Sequence, residues 1–171
     1  MEKQFKWWQV LLATVVVSAL GALSTGTTKK NERKLYNRKL KQAPWAPPAF
    51  VFGPAWTLNN FFLLLALKRM VEDKTLDARK KLLVKQGVIW VLFFSFGYVY
   101  FRKKSPLLAA VWTLSDAALA LSSTLDALKT GKRFAANYLP LLGWTGYAGT
   151  VAVYQALKNP DPLTDIPALV G

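Results

Sequence analysis

Apolar residues in this chain are gathered into five long blocks, and most of the charged residues lie between them. The blocks lie at about 7–25, 47–68, 82–101, 107–128 and 134–157. Each is close to the roughly 20 residues that a helix needs to cross a bilayer core of about 30 Å. A helix of a soluble protein carries polar residues along its outer face, and these blocks have almost none. Because lipid offers the backbone no hydrogen-bond partner, the blocks are predicted to be helical.

This pattern predicts an all-α integral membrane protein, folded as a bundle of five transmembrane helices. Residues 1–171 are predicted to form a single membrane domain that ends in an irregular tail at 158–171. The first block follows basic residues, as a secretory signal does, but an uncleaved first helix is the simpler interpretation. The 23 Lys and Arg residues divide almost evenly between the two sides of such a bundle. The positive-inside rule therefore selects no orientation.

Composition narrows the classes of function. The formal charge is +14, but the basic residues flank the apolar spans, where they suit anionic lipid headgroups better than nucleic acid. The chain has no cysteine and no histidine. Disulfides, thiol nucleophiles, Cys/His zinc sites and haem ligation by either residue are thereby excluded, and no metal site is expected. The commonest general base is also missing.

The segment 45–57, WAPPAFVFGPAWT, is the most specific in the chain, with two tryptophans, three prolines and one glycine in 13 residues. An aromatic anchor at the membrane interface, beside a proline-marked helix start, explains Trp45 and the proline pair. Trp56 lies deeper, near two turns inside the predicted helix, where a large ring could line a cavity. Both interpretations stay open on the residues alone.

The same segment resembles the TspO family, also called the translocator protein or peripheral benzodiazepine receptor family. Members carry W-x-P-P-x-x-x-F/I-x-x-x-W-T/A at the start of the second of five helices. The chain fits this pattern at Trp45, Pro47, Pro48, Phe52, Trp56 and Thr57. Supporting echoes are Gln86 with Phe93 and Phe94, then Asp116, then the stretch 139–148, LPLLGWTGYA. The resemblance covers about residues 5–159.

The resemblance implies a five-helix bundle with a pocket open toward the first loop. Family ligands are tetrapyrroles such as haem and protoporphyrin, sterols, and synthetic aromatic drugs; no cofactor is required. By position, the implied ligand-binding residues are Trp56 and Trp144 as walls, with Tyr36, Trp45, Tyr147, Ala148, Gln86 and Trp90 around them. Tyr36 matches a family tyrosine only approximately, since its spacing to Trp45 is about one residue longer.

Two positions depart from the family pattern. Trp90 stands where many members have asparagine in the third helix, and Ala152 replaces an asparagine of the fifth. Both changes remove amide groups from the implied pocket. A bulkier, less polar pocket would favour a sterol-like or isoprenoid ligand, or would be filled by Trp90 itself.

Two stretches match the loose cholesterol-contact pattern L/V-x-Y-x-K/R. Val151, Tyr154 and Lys158 form the candidate at the end of the fifth helix, where the family's own pattern lies. Leu92, Tyr98 and Arg102 form a second match. Ordinary interfacial anchoring by Tyr and Lys is the alternative explanation for both.

Asp116 and a set of small residues complete the candidates. An acid inside a span is costly, so Asp116 is a candidate for ligand or proton handling, with a structural hydrogen bond between helices as the alternative. Small residues on the first and fifth helices allow close helix approach. They are Ser18, Ala22 and Gly26, and Thr145 and Gly149. This approach serves packing within the bundle or a homodimer contact.

The leading hypothesis is a membrane-embedded binding or transport protein for a hydrophobic planar molecule, a tetrapyrrole or a sterol or isoprenoid. Its partners would be the lipid bilayer, that molecule, and a second copy or other membrane subunits. The alternative is an accessory structural subunit of a larger membrane complex. An enzyme is not expected, because no acid–base pair is visible, although light-dependent porphyrin degradation is proposed for the family. The expected location is a mitochondrial or bacterial membrane.

Overall fold

Helices make up most of the chain in the computed structural model, which describes residues 5–76 and 78–170. Residues 1–4, 77 and 171, the last of which ends the predicted tail, lie outside the described residues. The long helices are α1 (Trp7–Leu23), α3 (Phe52–Glu72), α4 (Arg79–Gly97), α5 (Pro106–Leu128) and α7 (Leu139–Lys158). The short helices are α2 (Lys29–Lys34) and α6 (Lys132–Ala135). Within the described ranges no strand forms beyond one isolated bridge, Asp161 to Ile166.

Proline and hydroxyl residues set where several helices begin. Ser105 caps α5, since its Oγ accepts from the Leu108 amide at 3.1 Å, and Pro106 opens the first turn. A 3₁₀ turn over Ala49–Val51 follows the proline pair, so the α-helical part of α3 begins at Phe52 rather than at 47 and continues to Glu72. α4 is prolonged by a π-helical turn, Tyr98–Arg102.

The first loop has more structure than its charge pattern predicts. The strongly basic composition of residues 26–44 predicts a solvated loop, but α2 and a following π-helical turn, Leu35–Lys39, lie there. Thr28 caps α2 by accepting from the Asn31 amide at 3.3 Å. Leu35 and Tyr36 are buried, so these two side chains anchor the charged segment to the bundle.

The long helices pack in a ring. α1 contacts α3 and α4, α5 contacts α4 and α7, and α7 closes the ring against α3. The contact between the turn after α1 and the end of α4 needs a glycine, because a Cβ added at Gly97 would lie 2.6 Å from Cγ2 of Thr25.

Several polar side chains are buried inside this ring, and many large apolar side chains are exposed on its outside. Asn59, Asn60, Gln86 and Asp116 are buried. Large apolar residues are exposed along α1 and α5, namely Trp7, Leu12, Val15, Leu23, Val111, Leu121 and Leu125. A soluble protein avoids a continuous apolar surface of this extent, whereas a helix in lipid requires one. The distribution fits an integral membrane protein.

The structure supports the class of integral membrane protein more firmly than it supports a particular number of spanning helices. Among the described residues, three segments are long and apolar enough to cross a membrane, Ala49–Glu72, Arg79–Arg102 and Pro106–Leu128, and Trp7–Leu23 is a shorter apolar helix. α7 has 20 residues but mixes glycine, threonine and tyrosine into its sequence. The count of five spans therefore stays a prediction.

The bundle has two halves along its axis. The packed half holds the end of α3, the beginning of α4, the end of α5 and the turn before α7; its core is Leu63, Met70, Leu82, Ile89, Ala120, Phe134, Tyr138 and Leu141. The cavity half holds the opposite ends of these helices together with α2 and the tail. There Asp161 fixes the tail, since its Oδ2 accepts from the Ser105 hydroxyl at 2.5 Å and from the Leu107 amide at 2.9 Å.

Candidate functional site

A cavity of about 500 Å³ lies in the cavity half, between α1, α2, the beginning of α3 and the end of α4. This volume is within the range of about 300–1,000 Å³ that small-molecule sites occupy. Its aromatic walls are Phe52, Trp56, Phe93, Phe96, Tyr100 and Phe101. Ala22 of α1, Phe50 of the 3₁₀ turn before α3, and Gly53 and Thr57 of α3 also line it and are exposed. The cavity is therefore open to the outside of the bundle between α1 and α3.

Phenylalanine side chains separate this cavity from two much smaller ones near α5 and α7. Phe52 and Phe96 line all three spaces. Phe52 stands edge-on to Tyr36 at 5.3 Å and to Trp144 at 5.4 Å between ring centroids. The smaller spaces measure about 30 and 40 Å³, room for little more than water. The centre of the bundle is thus filled by aromatic side chains of the chain itself.

The two tryptophans predicted as walls have different positions. Trp56 lines both the 500 Å³ cavity and the 30 Å³ cavity, and its ring packs on Phe93 at 4.9 Å. Trp144 lines only the 30 Å³ cavity, behind Phe52. Ala148 lines the two small cavities. A molecule in the large cavity would touch Trp56 directly and Trp144 only after Phe52 moves.

Tyr36 covers the cavity from the first loop. It is 5% exposed, lines the 500 Å³ cavity and donates from its hydroxyl to the Pro47 carbonyl at 2.7 Å. Burial, with a smaller contribution from Tyr147, raises the pKa of Tyr36 to about 12. The phenol therefore stays protonated at physiological pH and keeps its donated hydrogen bond.

The extended segment that follows, residues 40–47, is fastened to α7. The Asn159 side chain accepts from the Lys41 amide at 2.7 Å and donates to the Lys41 carbonyl at 3.1 Å. Gln155 donates to the Gln42 side chain and accepts from the Tyr100 hydroxyl. Several hydrogen bonds therefore hold residues 40–47 in place. The part of the first loop that covers the cavity without these bonds is α2 and the turn before it.

Trp45 and Tyr147 belong to the same attachment and not to the cavity wall. Trp45 donates from Nε1 to Thr150 at 3.0 Å, and its carbonyl accepts from the Tyr147 hydroxyl at 2.6 Å. Both side chains are well exposed, at 49% and 38%. They bind the loop to the outer face of α7, as an interfacial anchor would.

Gln86 and Trp90 lie in the packed half, away from all three cavities. Gln86 is 1% exposed, donates to the Leu63 carbonyl at 2.7 Å and accepts from the Tyr138 hydroxyl at 3.3 Å. Trp90 packs against the core there, and its buried Nε1 has no hydrogen-bond partner. The structure therefore gives Gln86 a role in joining helices and does not place Trp90 in the cavity.

The sterol-contact candidates at the end of α7 do not share one surface. Val151 is buried and lines the 40 Å³ cavity. Tyr154 is partly exposed and packs edge-on against Trp45 at 5.5 Å. Lys158 is also partly exposed, one turn further along the helix. Only Tyr154 and Lys158 are accessible from outside the bundle.

Asp116 is a buried acid with an unpaired oxygen. It is 4% exposed and lines the 30 Å³ cavity beside Trp112, Trp144 and Thr145. Its Oδ1 has no hydrogen-bond partner. The sequence suggested that Asp116 makes a structural hydrogen bond between helices, and among the described residues its Oδ1 makes none.

Sequence reasoning missed several residues that line the 500 Å³ cavity. Phe93 was used only as a motif position, and Phe96 and Tyr100 were not singled out. Their spacing of three and four residues, with Gly97 between, is that of one helix face and could have shown it. Glu32 was overlooked within a strongly basic loop, although it is the one acidic residue of the stretch 26–44.

These features define a helical integral membrane protein with an aromatic cavity beneath its first loop. A model described as the TspO/MBR family matches residues 10–157. The chain therefore belongs to the TspO/MBR family, which confirms the resemblance found in the segment 45–57. No curated protein sequence matches the chain closely enough to add a relative to this finding.

Proposed function

We propose that this protein binds a hydrophobic, planar small molecule, a tetrapyrrole or a sterol or isoprenoid, inside a mitochondrial or bacterial membrane, and carries it there without chemical change. The five long helices would all span the bilayer. The observation that supports the proposal best is the 500 Å³ cavity with aromatic walls and an opening between α1 and α3. Flat aromatic faces suit a flat apolar ligand.

The opening indicates a path for such a ligand. Ala22 and Gly53, the small residues at its edge, are exposed on the outside of the bundle, the surface that lipid covers. A Cβ added at Gly53 would meet no atom within 4 Å, so this side of α3 is unobstructed. An apolar molecule dissolved in the bilayer could move into the cavity sideways without crossing water.

Binding is tested by titrating the protein in detergent with protoporphyrin IX and following tryptophan fluorescence. The wild type should show saturable quenching. Trp56→Ala should weaken the affinity by at least about tenfold, since a wall ring of this size is a typical binding hot spot. Trp144→Ala should weaken it less. Trp7→Ala removes a 70% exposed ring of α1 that does not line the 500 Å³ cavity and should leave the affinity within about twofold.

A second function is favoured by the filled centre of the bundle. If Phe52 and Phe96 close the family's site, the protein would serve as an accessory structural subunit of a larger membrane complex. Absence of saturable binding of porphyrin and sterol by folded protein would refute the binding proposal. Co-purification with fixed partner chains would then support the subunit.

A further inference from the structure

Glu32 occupies the polar end of the 500 Å³ cavity. It lies in α2, is only 8% exposed and lines the cavity together with Lys29 and Arg33. The opposite walls are aromatic. A carboxylate held inside an otherwise apolar space is unfavourable unless both of its oxygens are paired.

Only one of the two oxygens is paired. Oε2 accepts from Nζ of Lys29 at 3.0 Å, whereas Oε1 is buried and has no hydrogen-bond partner. Arg33 makes no ion pair with it among the described residues, although it borders the same space. One acceptor position in the cavity is therefore open.

No hydroxyl of the cavity wall fills this position. The hydroxyl side chains that line the cavity are Ser18, Thr25, Tyr36, Thr57 and Tyr100. Four of them donate elsewhere, to the carbonyl oxygens of Ala22, Pro47 and Gly53 and to the side chain of Gln155. The fifth, Ser18, accepts from the Asn60 side chain of α3 at 3.3 Å, and among the described residues no hydrogen bond joins it to Glu32. Oε1 is therefore available to accept from a molecule inside the cavity.

We infer that Oε1 of Glu32 accepts a hydrogen bond from a neutral hydroxyl at the polar end of the ligand, so that the cavity selects apolar alcohols of the sterol or isoprenoid type. The inference rests on the proposed binding function. An anionic end has no hydrogen to donate to Oε1, and a cationic end would lie beside Lys29 and Arg33. A neutral hydroxyl supplies the hydrogen without the positive charge. The last torsion of a glutamate side chain is soft, so a small rotation turns Oε1 toward such a donor.

The test compares two ligands that differ in one hydrogen-bond donor. Dehydroergosterol is a fluorescent sterol alcohol, and its 3-O-methyl ether keeps the apolar body but cannot donate. Energy transfer from tryptophan gives the affinity of each. The wild type should bind the alcohol at least about tenfold more tightly than the ether, because the ether leaves the carboxylate oxygen unpaired.

Two matched variants distinguish the contribution of Glu32 from the general effect of removing a charged side chain. Glu32→Met keeps about the same size but removes both acceptor oxygens, and should reduce the preference for the alcohol to less than about threefold. Glu72→Met makes the same change at another lysine-paired glutamate, at the far end of α3, and should leave the preference unchanged. The ligand comparison in the wild type needs no variant and stands even if Glu32→Met fails to fold.

Several outcomes would overturn the inference. Equal affinities of the wild type for alcohol and ether would mean that water alone satisfies Oε1. The same conclusion follows if Glu32→Met keeps the full preference. Tighter binding of the sterol sulfate than of the alcohol would assign the polar end to Lys29 and Arg33. Binding of protoporphyrin but of neither sterol would refute the alcohol and leave the proposed function standing, whereas binding of no apolar ligand would refute both.

Discussion

The packed half and the cavity half are built on the same four long helices, α3, α4, α5 and α7, yet they use their side chains in opposite ways. In the packed half, Leu63, Met70, Leu82 and Ile89 are each 0% exposed. In the cavity half, small residues such as Gly21, Ala22 and Gly53 stand near large aromatic ones. Small residues that face large rings leave empty space in the cavity half. In the packed half, aliphatic residues of intermediate size fill the corresponding space.

Buried polar atoms without a partner lie in both halves, such as Trp90 Nε1 in the packed half, but among the described residues the two acids with an unpaired oxygen lie in the cavity half. The amide of Gln86 in the packed half has a partner on each side, on α3 and at the beginning of α7. In the cavity half, Asp116 and Glu32 each leave one oxygen unpaired. Unfilled space and unpaired polar atoms lower stability, and proteins keep them where a ligand must fit. The packed half thus gives the bundle its stability, while the cavity half gives it a site.

The largest effect expected from this comparison is on stability. Phe134→Ala removes a 2% exposed ring from the packed half, including its contact with the Arg69 guanidinium at 5.6 Å. It should lower the free energy of unfolding by about 3–5 kcal/mol. Phe50→Ala removes a 72% exposed ring that lines the cavity mouth and should cost less than about 1 kcal/mol. Unfolding in mixed detergent micelles measures both; similar losses would contradict the division into two halves.

A smaller effect is expected from a pair of glutamines, one in each half. Gln86→Leu leaves the buried Tyr138 hydroxyl without an acceptor, and Gln155→Leu does the same to Tyr100, so each should cost about 1–3 kcal/mol. Only Gln155 also holds the first loop, through Gln42. Porphyrin affinity should therefore change in Gln155→Leu and stay constant in Gln86→Leu. A loss of porphyrin affinity in Gln86→Leu would instead support the ligand contact that the family resemblance implied for Gln86.

The sequence was sufficient for the class of fold and for the family, because both depend on features that are local in the chain. Apolar blocks predict membrane helices, and the segment from Trp45 to Thr57 identifies the family. It was insufficient for the site, which depends on how distant side chains meet. Residue spacing could not show that Phe52 would stand in front of Trp144, or that Gln86 would point to Leu63 and Tyr138. Likewise, the helical conformation of α2 depends on burying Leu35 and Tyr36 against the bundle, which a charge pattern does not reveal.

The smallest expected effect concerns the cover of the cavity at high pH. Because the pKa of Tyr36 is about 12 in the folded protein and 10.0 for the free side chain, the folded state holds this proton more tightly than the unfolded state does. The resulting stability is fully present below pH 10 and is lost as the pH rises toward 12. At pH 11 the loss should be about 1 kcal/mol relative to Tyr36→Phe, which cannot ionise. Tyr98→Phe, which removes a 42% exposed tyrosine of the π-helical turn after α4, controls for the loss of one phenol. If wild type and Tyr36→Phe lose stability in parallel from pH 9 to pH 11.5, Tyr36 is not buried under the first loop, and the cover of the cavity must be placed elsewhere.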